Sequence, residues 1–430
     1  MNSAPVLHEW KTVPLRYVCQ LNPSVDFSEF EEDDELTFLP MDRVKGGYFL
    51  PNTDKFSKYV SSYNAFEEGD IVLAKVTPCF ENGNIAVAQN LEGGKGFGSS
   101  ELFVIRPKTV NRKFLFYYLQ SLTFKQEGEA SMTGAGGLKR VSPDLLRQHH
   151  LPCPEEETQR LIADYLDRET ARIDALVAEK EKMLALLEEK RAALISRTVT
   201  RGLDPAAPLK PSGLNWLGNI PAHWEVLQVR FACPSLQTGP FGSQLHAEEY
   251  IDNGIPVINP AHLKDNKITP DYGISVDDET ADRLSVHKLR EGDVVFGRRG
   301  ELGRCGVVEA SQVGWLCGTG SLRVRCDQRQ INPKYLALIF NGTNAAKRLT
   351  VESVGSTMDN LNTEMLGHFR IPYPPIDEQR SIVSQVEIGH VKTRKLADQL
   401  LISVDLAKER RAALITAAVT GKIPAEEMLP

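Results

Sequence analysis

The chain lacks the marks of most enzyme classes. No Gly-x-Gly-x-x-Gly follows a strand-like run, and no P-loop pattern ending in Gly-Lys-Ser/Thr is present, which argues against nucleotide cofactors. Thr133–Lys139 is glycine-rich but lacks the Lys-Ser/Thr ending of a phosphate loop. Asn259-Pro260-Ala261-His262 resembles the Asn-Pro-Pro-aromatic box of amino-methyltransferases without its stacking aromatic or an upstream cofactor loop, so a turn is expected. The seven cysteines (19, 79, 153, 233, 305, 317, 326) are scattered and never spaced as Cys-x-x-Cys. Reduced thiols fit that pattern better than a zinc site or disulfides. His149-His150 has no further ligand at metal spacing and reads as two solvated histidines. No apolar run approaches the roughly 20 residues of a membrane span, and no signal-peptide pattern is seen. A soluble, cytoplasmic, non-membrane protein is expected, with no catalytic and no metal residues. A formal net charge of −7 gives no global attraction to nucleic acid, which leaves local basic faces to be found.

What the chain does have is a repeat. Lys190-Arg191-Ala192-Ala193-Leu194-Ile195-Ser196-Arg197-Thr198-Val199-Thr200 returns 220 residues later as Arg410-Arg411-Ala412-Ala413-Leu414-Ile415-Thr416-Ala417-Ala418-Val419-Thr420, identical at seven of eleven positions. The same offset relates Leu151-Pro152-Cys153-Pro154 and Gln159-Arg160 to Ile371-Pro372-Tyr373-Pro374 and Gln379-Arg380. Glu68-Gly69-Asp70-Ile71-Val72 is echoed by Glu291-Gly292-Asp293-Val294-Val295, and Val110-Asn111 by Ile331-Asn332. The protein is two copies of a globule followed by a rod, and the rods match better than the globules.

The globule of residues 1–150 mixes strand runs (70–76, 85–88, 102–105) with a helix over about 112–122. Glu31–Glu35 reads as a solvated acidic loop. From Pro154 to about Thr200 no Pro or Gly intervenes. Leu166, Ile173, Leu187 and Leu194 recur on a seven-residue grid, with Ile162, Leu176 and Met183 as the companion row. That is a coiled-coil seam, interrupted by Lys180 and Lys190. Residues 151–202 are therefore a helical region, 203–214 a Pro/Gly-rich linker, 215–375 a second α+β globule and 376–422 a second helical region. Two rods joined by a globule can pair antiparallel, giving a pseudo-two-fold chain. Helix pairing or partner docking falls to Leu166, Ile173, Leu176, Leu187, Leu194, Ile195, Leu396, Leu414 and Ile415.

Between Val286 and Thr350 eleven Lys/Arg stand against five Asp/Glu. Phe296-Gly297-Arg298-Arg299-Gly300 places two guanidinia at a strand end, which suits a guanine edge or a phosphate. Arg304 belongs to the same basic run. In the first globule Lys75 is the analogous position, and Lys139-Arg140 follows the glycine loop. The turn Thr238-Gly239-Pro240-Phe241-Gly242-Ser243-Gln244 admits close backbone approach, either to a ligand or within the fold. Ser243, Gln244, Ser356, Thr357 and Asn360 are further polar loop candidates. For each basic residue, pairing with a nearby acid is the competing role.

These features resemble the specificity subunits of type I restriction-modification systems over essentially the whole chain. The residues are Trp216-Leu217-Gly218-Asn219-Ile220-Pro221-Ala222-His223-Trp224-Glu225, Gly239-Pro240-Phe241-Gly242-Ser243, Pro372-x-Pro374-Pro375-x-x-Glu378-Gln379 and Arg411-Ala412-Ala413-Leu414-Ile415, with the earlier copy of each rod motif. The resemblance implies an α+β protein with two target-recognition domains, here 1–150 and 215–375, separated by helices forming an antiparallel coiled coil. It implies a non-catalytic, sequence-specific DNA-binding subunit whose two domains read the halves of a split, asymmetric target, with the helices setting the gap. The implied partners are double-stranded DNA, methyltransferase subunits (two are expected) and restriction/translocase subunits. This chain would hold no cofactor; S-adenosylmethionine, ATP and Mg2+ would serve the partners in adenine methylation and ATP-dependent cleavage. The first half has no clear counterpart of Gly239–Ser243, which leaves its recognition loops unassigned. A coiled-coil adaptor binding proteins through its globules is the alternative class.

Overall fold

The computed structural model describes residues 10–56, 62–135, 137–241, 243–264, 267–300, 302–342, 344–353 and 360–429. Ser356 and Thr357 lie outside the described residues. The chain divides into two units, residues 1–182 with 400–430, and residues 183–399.

The first unit holds an antiparallel sheet in the order Cys19–Leu21, Leu102–Pro107, Ile71–Ala74, Ile85–Val87. A second sheet orders Thr53–Lys55, Glu35–Leu39, Lys95–Gly98, Asn64–Glu67, and its Glu35–Leu39/Lys95–Gly98 pair is parallel. Of the expected strands, 70–76 and 102–105 are the central pair and 85–88 is an edge strand of the first sheet. The expected helix is shorter, Arg112–Tyr118, and a second helix, Leu122–Ala130, follows it. Ser121 makes the break, its hydroxyl accepting from the Phe124 amide as an N-cap.

The second unit repeats the plan. Its sheet runs Ser235–Thr238, Ser321–Arg325, Val294–Gly297, Cys305–Val307, all antiparallel. Beside it, Ile255–Ile258 pairs parallel with Leu316–Cys317. Within the stretch read as linker, Leu209–Pro211 pairs with Asn219–Pro221 as a small hairpin.

Two repeated motifs now have physical causes. Each Glu-Gly-Asp turn buries its aspartate at 1% exposure. Asp70 accepts two bonds from Arg106, at 2.7 and 2.8 Å, and Asp293 accepts two from Arg325, at 2.8 and 2.7 Å. The same carboxylates take the amides of Glu67 and Arg290. The Gln of each Gln-Arg pair is also buried. Gln159 accepts from the Asn111 amide and donates to the Pro154 carbonyl; Gln379 does the same with Asn332 and Pro374. Each thus ties the first turn of a long helix to the cap of a globule helix.

The long helices are Glu156–Arg201 and Ile376–Val419. In the first unit Asp174 pairs with Arg411 at 2.8 Å and Glu181 with Lys408 at 3.1 Å. Seven residues forward on one helix is three back on the other, so they run antiparallel. Ile173 on one, and Leu400, Val404 and Ala407 on the other, are buried outside the globular cores at seam spacing. In the second unit Leu194 lies so close to Gly389 that an added Cβ would sit 2.9 Å from its methyl.

The repeated Ala-Ala-Leu-Ile segment does something the heptad reading did not anticipate. Ile415, Ala418 and Val419 are buried in the core of the first unit's globule, with Ile162 and Leu166. Ile195 and Val199 are buried in the core of the second. Leu414 is half-buried against the first core. Leu187 and Leu194 are half-buried, whereas Leu176 and Leu396 are exposed. The motif repeats because each globule needs a helix end to close its core.

Candidate nucleic-acid interface

In both units the central strand ends in a basic residue held by the same two backbone bonds. The Lys75 amide donates to the Glu101 carbonyl, and the Lys75 carbonyl accepts from Val141. The Arg298 amide donates to the Gly320 carbonyl, and the Arg298 carbonyl accepts from Leu361. Lys75 and Arg298 are therefore structural counterparts. Beyond Ala74 and Gly297 the regular strand gives way to loops, and Lys75 and Arg298 each stand half-buried among them.

In the first unit, residues 64 positions apart meet here. Thr133 and Arg140 exchange backbone bonds at 3.0 and 2.8 Å, making a tight hairpin of the glycine loop. Thr77 staples it to the strand: its amide donates to the Lys139 carbonyl, and its hydroxyl bridges Gly137 and Lys139. Lys75, Lys139 and Arg140 are thus brought together. The Lys139 and Arg140 amides are consumed within the fold, which removes the phosphate-loop reading. Lys75 lies over the Phe103 ring at 5.6 Å. Arg140 makes a two-pronged pair with Glu101, at 2.9 and 2.8 Å. That bond, with Lys75 adding attraction, holds the Glu101 carboxyl below its usual pKa. Glu101 is a member of this site that sequence inspection missed; a lone acid gives no signal until Arg140 is placed beside it.

In the second unit Arg298 donates through Nε to the Leu361 carbonyl at 3.0 Å and lies over the Phe241 ring at 5.9 Å. Burial and the neighbouring Arg299 lower its pKa, although a guanidinium stays charged at neutral pH. Arg299 is exposed and forms no ion pair among the described residues. Asn360, half-buried, precedes Leu361 at the same strand end. Arg304 is half-buried and closes the turn after the strand, its carbonyl accepting from Gly297. Phe241 is 57% exposed and joins the site as an apolar surface of the kind that contacts a thymine methyl.

In the Gly239–Gln244 turn, Gly239 is required by the fold itself. A Cβ on Gly239 would lie 1.9 Å from the Gly318 carbonyl, so the close approach is to the chain itself. Gln244 is occupied as well: its side chain accepts from the Phe241 amide at 3.1 Å, and its carbonyl from Arg283 at 2.6 Å. Ser243 is exposed.

Five of the eleven basic residues at 286–350 are engaged within the fold. Arg325 pairs with Asp293, Arg329 with Asp327, Lys334 with Glu387 and Lys288 with Asp282. Arg323 is 4% exposed and donates to Val286, Ser235 and Gln237. A second correction concerns His149, which is buried rather than solvated. Its Nε2 meets the Tyr118 hydroxyl at 2.7 Å and its Nδ1 the Glu127 carboxylate at 2.6 Å. Asn259–His262 is a capped turn of 3-10 helix, as expected.

Comparison with known proteins adds a family. Residues 8–185 and 235–388 match the type I restriction modification DNA specificity domain. Among curated relatives, the specificity subunit of the type I restriction enzyme EcoAI of Escherichia coli is 35% identical over 36% of this chain and 27% of its own length. That of EcoEI, also from Escherichia coli, is 30% identical over 43% and 33%. The chain thus spans about a third or less of these two. Over 98% of this chain and 95% of its own length, the MjaVIII specificity subunit of Methanocaldococcus jannaschii is 22% identical. Of solved structures, a chain of a type I R-M system, from work on its complex assembly and conformational transition, aligns with a TM-score of 0.73. It is 19% identical and covers 97% of this chain and 99% of its own length. The HsdS subunit from Thermoanaerobacter tengcongensis aligns at 0.52, also 19% identical, over 97% and 98%. These structural likenesses concern the fold.

Proposed function

Because the chain belongs to the type I restriction-modification DNA specificity family, we propose that it is the non-catalytic, sequence-specific DNA-binding subunit of such a complex. The observation that carries the reading is the equivalence of Lys75 and Arg298: one scaffold, fixed by the same backbone bonds, presents two different sets of side chains. Identical frames with different readers are what a split, asymmetric target requires. Residues 1–150 read one half and 215–375 the other. Phosphate contacts would fix the position of each globule, while base-edge contacts select sequence. In this reading methylation of adenine and any cleavage belong to methyltransferase and restriction subunits, which bring S-adenosylmethionine, ATP and Mg2+.

The long helices set the gap between half-sites, and their exposed aliphatic residues, Leu176 and Leu396 among them, dock methyltransferase subunits. Removing one heptad from each helix keeps the antiparallel register and shortens the pair by about 10 Å. The gap between modified half-sites is then expected to shrink by about three base pairs at roughly 3.4 Å each. An unchanged gap in the methylated motif would remove the ruler role.

The reading is tested by separate Lys75→Ala and Arg298→Ala variants, each co-expressed with a methyltransferase subunit. Each variant is expected to alter the methylated motif in its own half alone. Loss in both halves from either variant would contradict a division of labour.

A further inference from the structure

At the equivalent positions of the second unit the Glu101–Arg140 pair has no counterpart among the described residues. Gly320 stands where Glu101 does, and Asn360, next to Leu361, where Arg140 does. An ion pair kept in one copy of a duplicated scaffold is either a local stability device or part of what distinguishes the copies.

Stability is a poor explanation. The side chains are 29% and 46% exposed, and exposed pairs contribute about 0–1 kcal/mol. Both backbones are fixed without it. Arg140 exchanges bonds with Thr133, and the Glu101 amide donates to the Ser99 hydroxyl at 3.2 Å.

Geometry gives the better account. Glu101 engages Arg140 from the side, through Nε and Nη2. The far edge of the guanidinium, with one N–H on each terminal nitrogen, stays unspent among the described residues. That edge is the donor pair that matches O6 and N7 of guanine. A free arginine loses side-chain entropy when it adopts this pose; one already held by a carboxylate does not.

We propose that Glu101 is a positioning residue of the first recognition domain, holding Arg140 so that its outer edge reads a guanine in one half-site. The inference rests on the reading that this strand end meets DNA, and it adds a base and a mechanism. The second half-site takes no such contact from this position.

The test is the methylated motif of the complex carrying Glu101→Gln, with Arg140→Ala as a second variant that breaks the pair from an exposed loop. Glu101→Gln is expected to relax a single G·C position of the first half-site, lowering discrimination there about ten-fold, with the second half unchanged. Arg140→Ala is expected to relax the same position, and the double variant to go no further than Arg140→Ala alone. Full retention of the guanine preference in Glu101→Gln, or a drop in methylation that is uniform over all sequences, would overturn the proposal. If Lys75→Ala and Arg140→Ala also leave the motif untouched, the DNA-facing reading of this strand end fails instead.

Discussion

Replacing Arg298 and Arg299 together with alanine is expected to abolish or rewrite recognition of one half-site and leave the other intact. Arg298 is preorganised: its Nε is held by the Leu361 carbonyl and its Cζ lies over the Phe241 ring at 5.9 Å. Its amide and carbonyl are both in the backbone network, so truncating the side chain leaves the strand end in place. A well-placed arginine contributes roughly 1–3 kcal/mol of base discrimination, about ten- to a hundred-fold. Arg299 is exposed, and its loss belongs to the phosphate category, which weakens all sequences alike and lowers the salt slope by about one. The single variants should therefore divide: Arg298→Ala changes which bases are preferred, and Arg299→Ala changes affinity and its salt dependence. Mapping of methylated adenines reads the first, and DNA titration at several salt concentrations the second. Equal losses at both half-sites from Arg298→Ala alone would show that Arg298 is not a base reader.

The second large effect is on stability. Asp293→Ala is expected to destabilise the second unit by about 3–5 kcal/mol, because it leaves the half-buried Arg325 guanidinium without its counter-charge. It also frees the Arg290 amide at the turn. For a unit of this size that is a fall in melting temperature of about 10 °C. Asp70→Ala is expected to destabilise the first unit by less, because Arg106 keeps Glu67 at 2.8 Å as a second counter-charge. Calorimetry should show one transition moving in each variant while the other stays. A single transition that shifts equally in both would mean that the units do not melt independently, and a shift below about 1 kcal/mol would reduce the pair to surface chemistry.

How much of this was legible in the sequence depends on how far apart the partners are. The helical regions show because their period is written in consecutive residues. The duplication shows because an offset of 220 needs no structure to detect. The Glu-Gly-Asp echo was visible as a pattern, but its purpose was not, since Arg106 and Arg325 lie 36 and 32 residues beyond the aspartates. His149 was misread for the same reason: Tyr118 and Glu127, which bury and satisfy it, are 31 and 22 residues away. Counting charge between Val286 and Thr350 overstated the interface, because a count does not see that Arg323, Arg325 and Arg329 are engaged within the fold. Heptad spacing named Leu166, and the repeated motif named Ile195 and Ile415, as helix-pairing residues, whereas a helix end that closes a globule has the same apolar spacing as one that meets another helix.

The central claim is that two equivalent strand ends, one at Lys75 and one at Arg298, read two different DNA half-sites. The most direct measurement is to co-express the intact chain with a type I methyltransferase subunit and map methylated adenines across the host genome. The expected result is a new, split motif: two dissimilar half-sites separated by a gap of fixed length. A continuous motif, two identical halves, or no new methylation despite an assembled complex would contradict it.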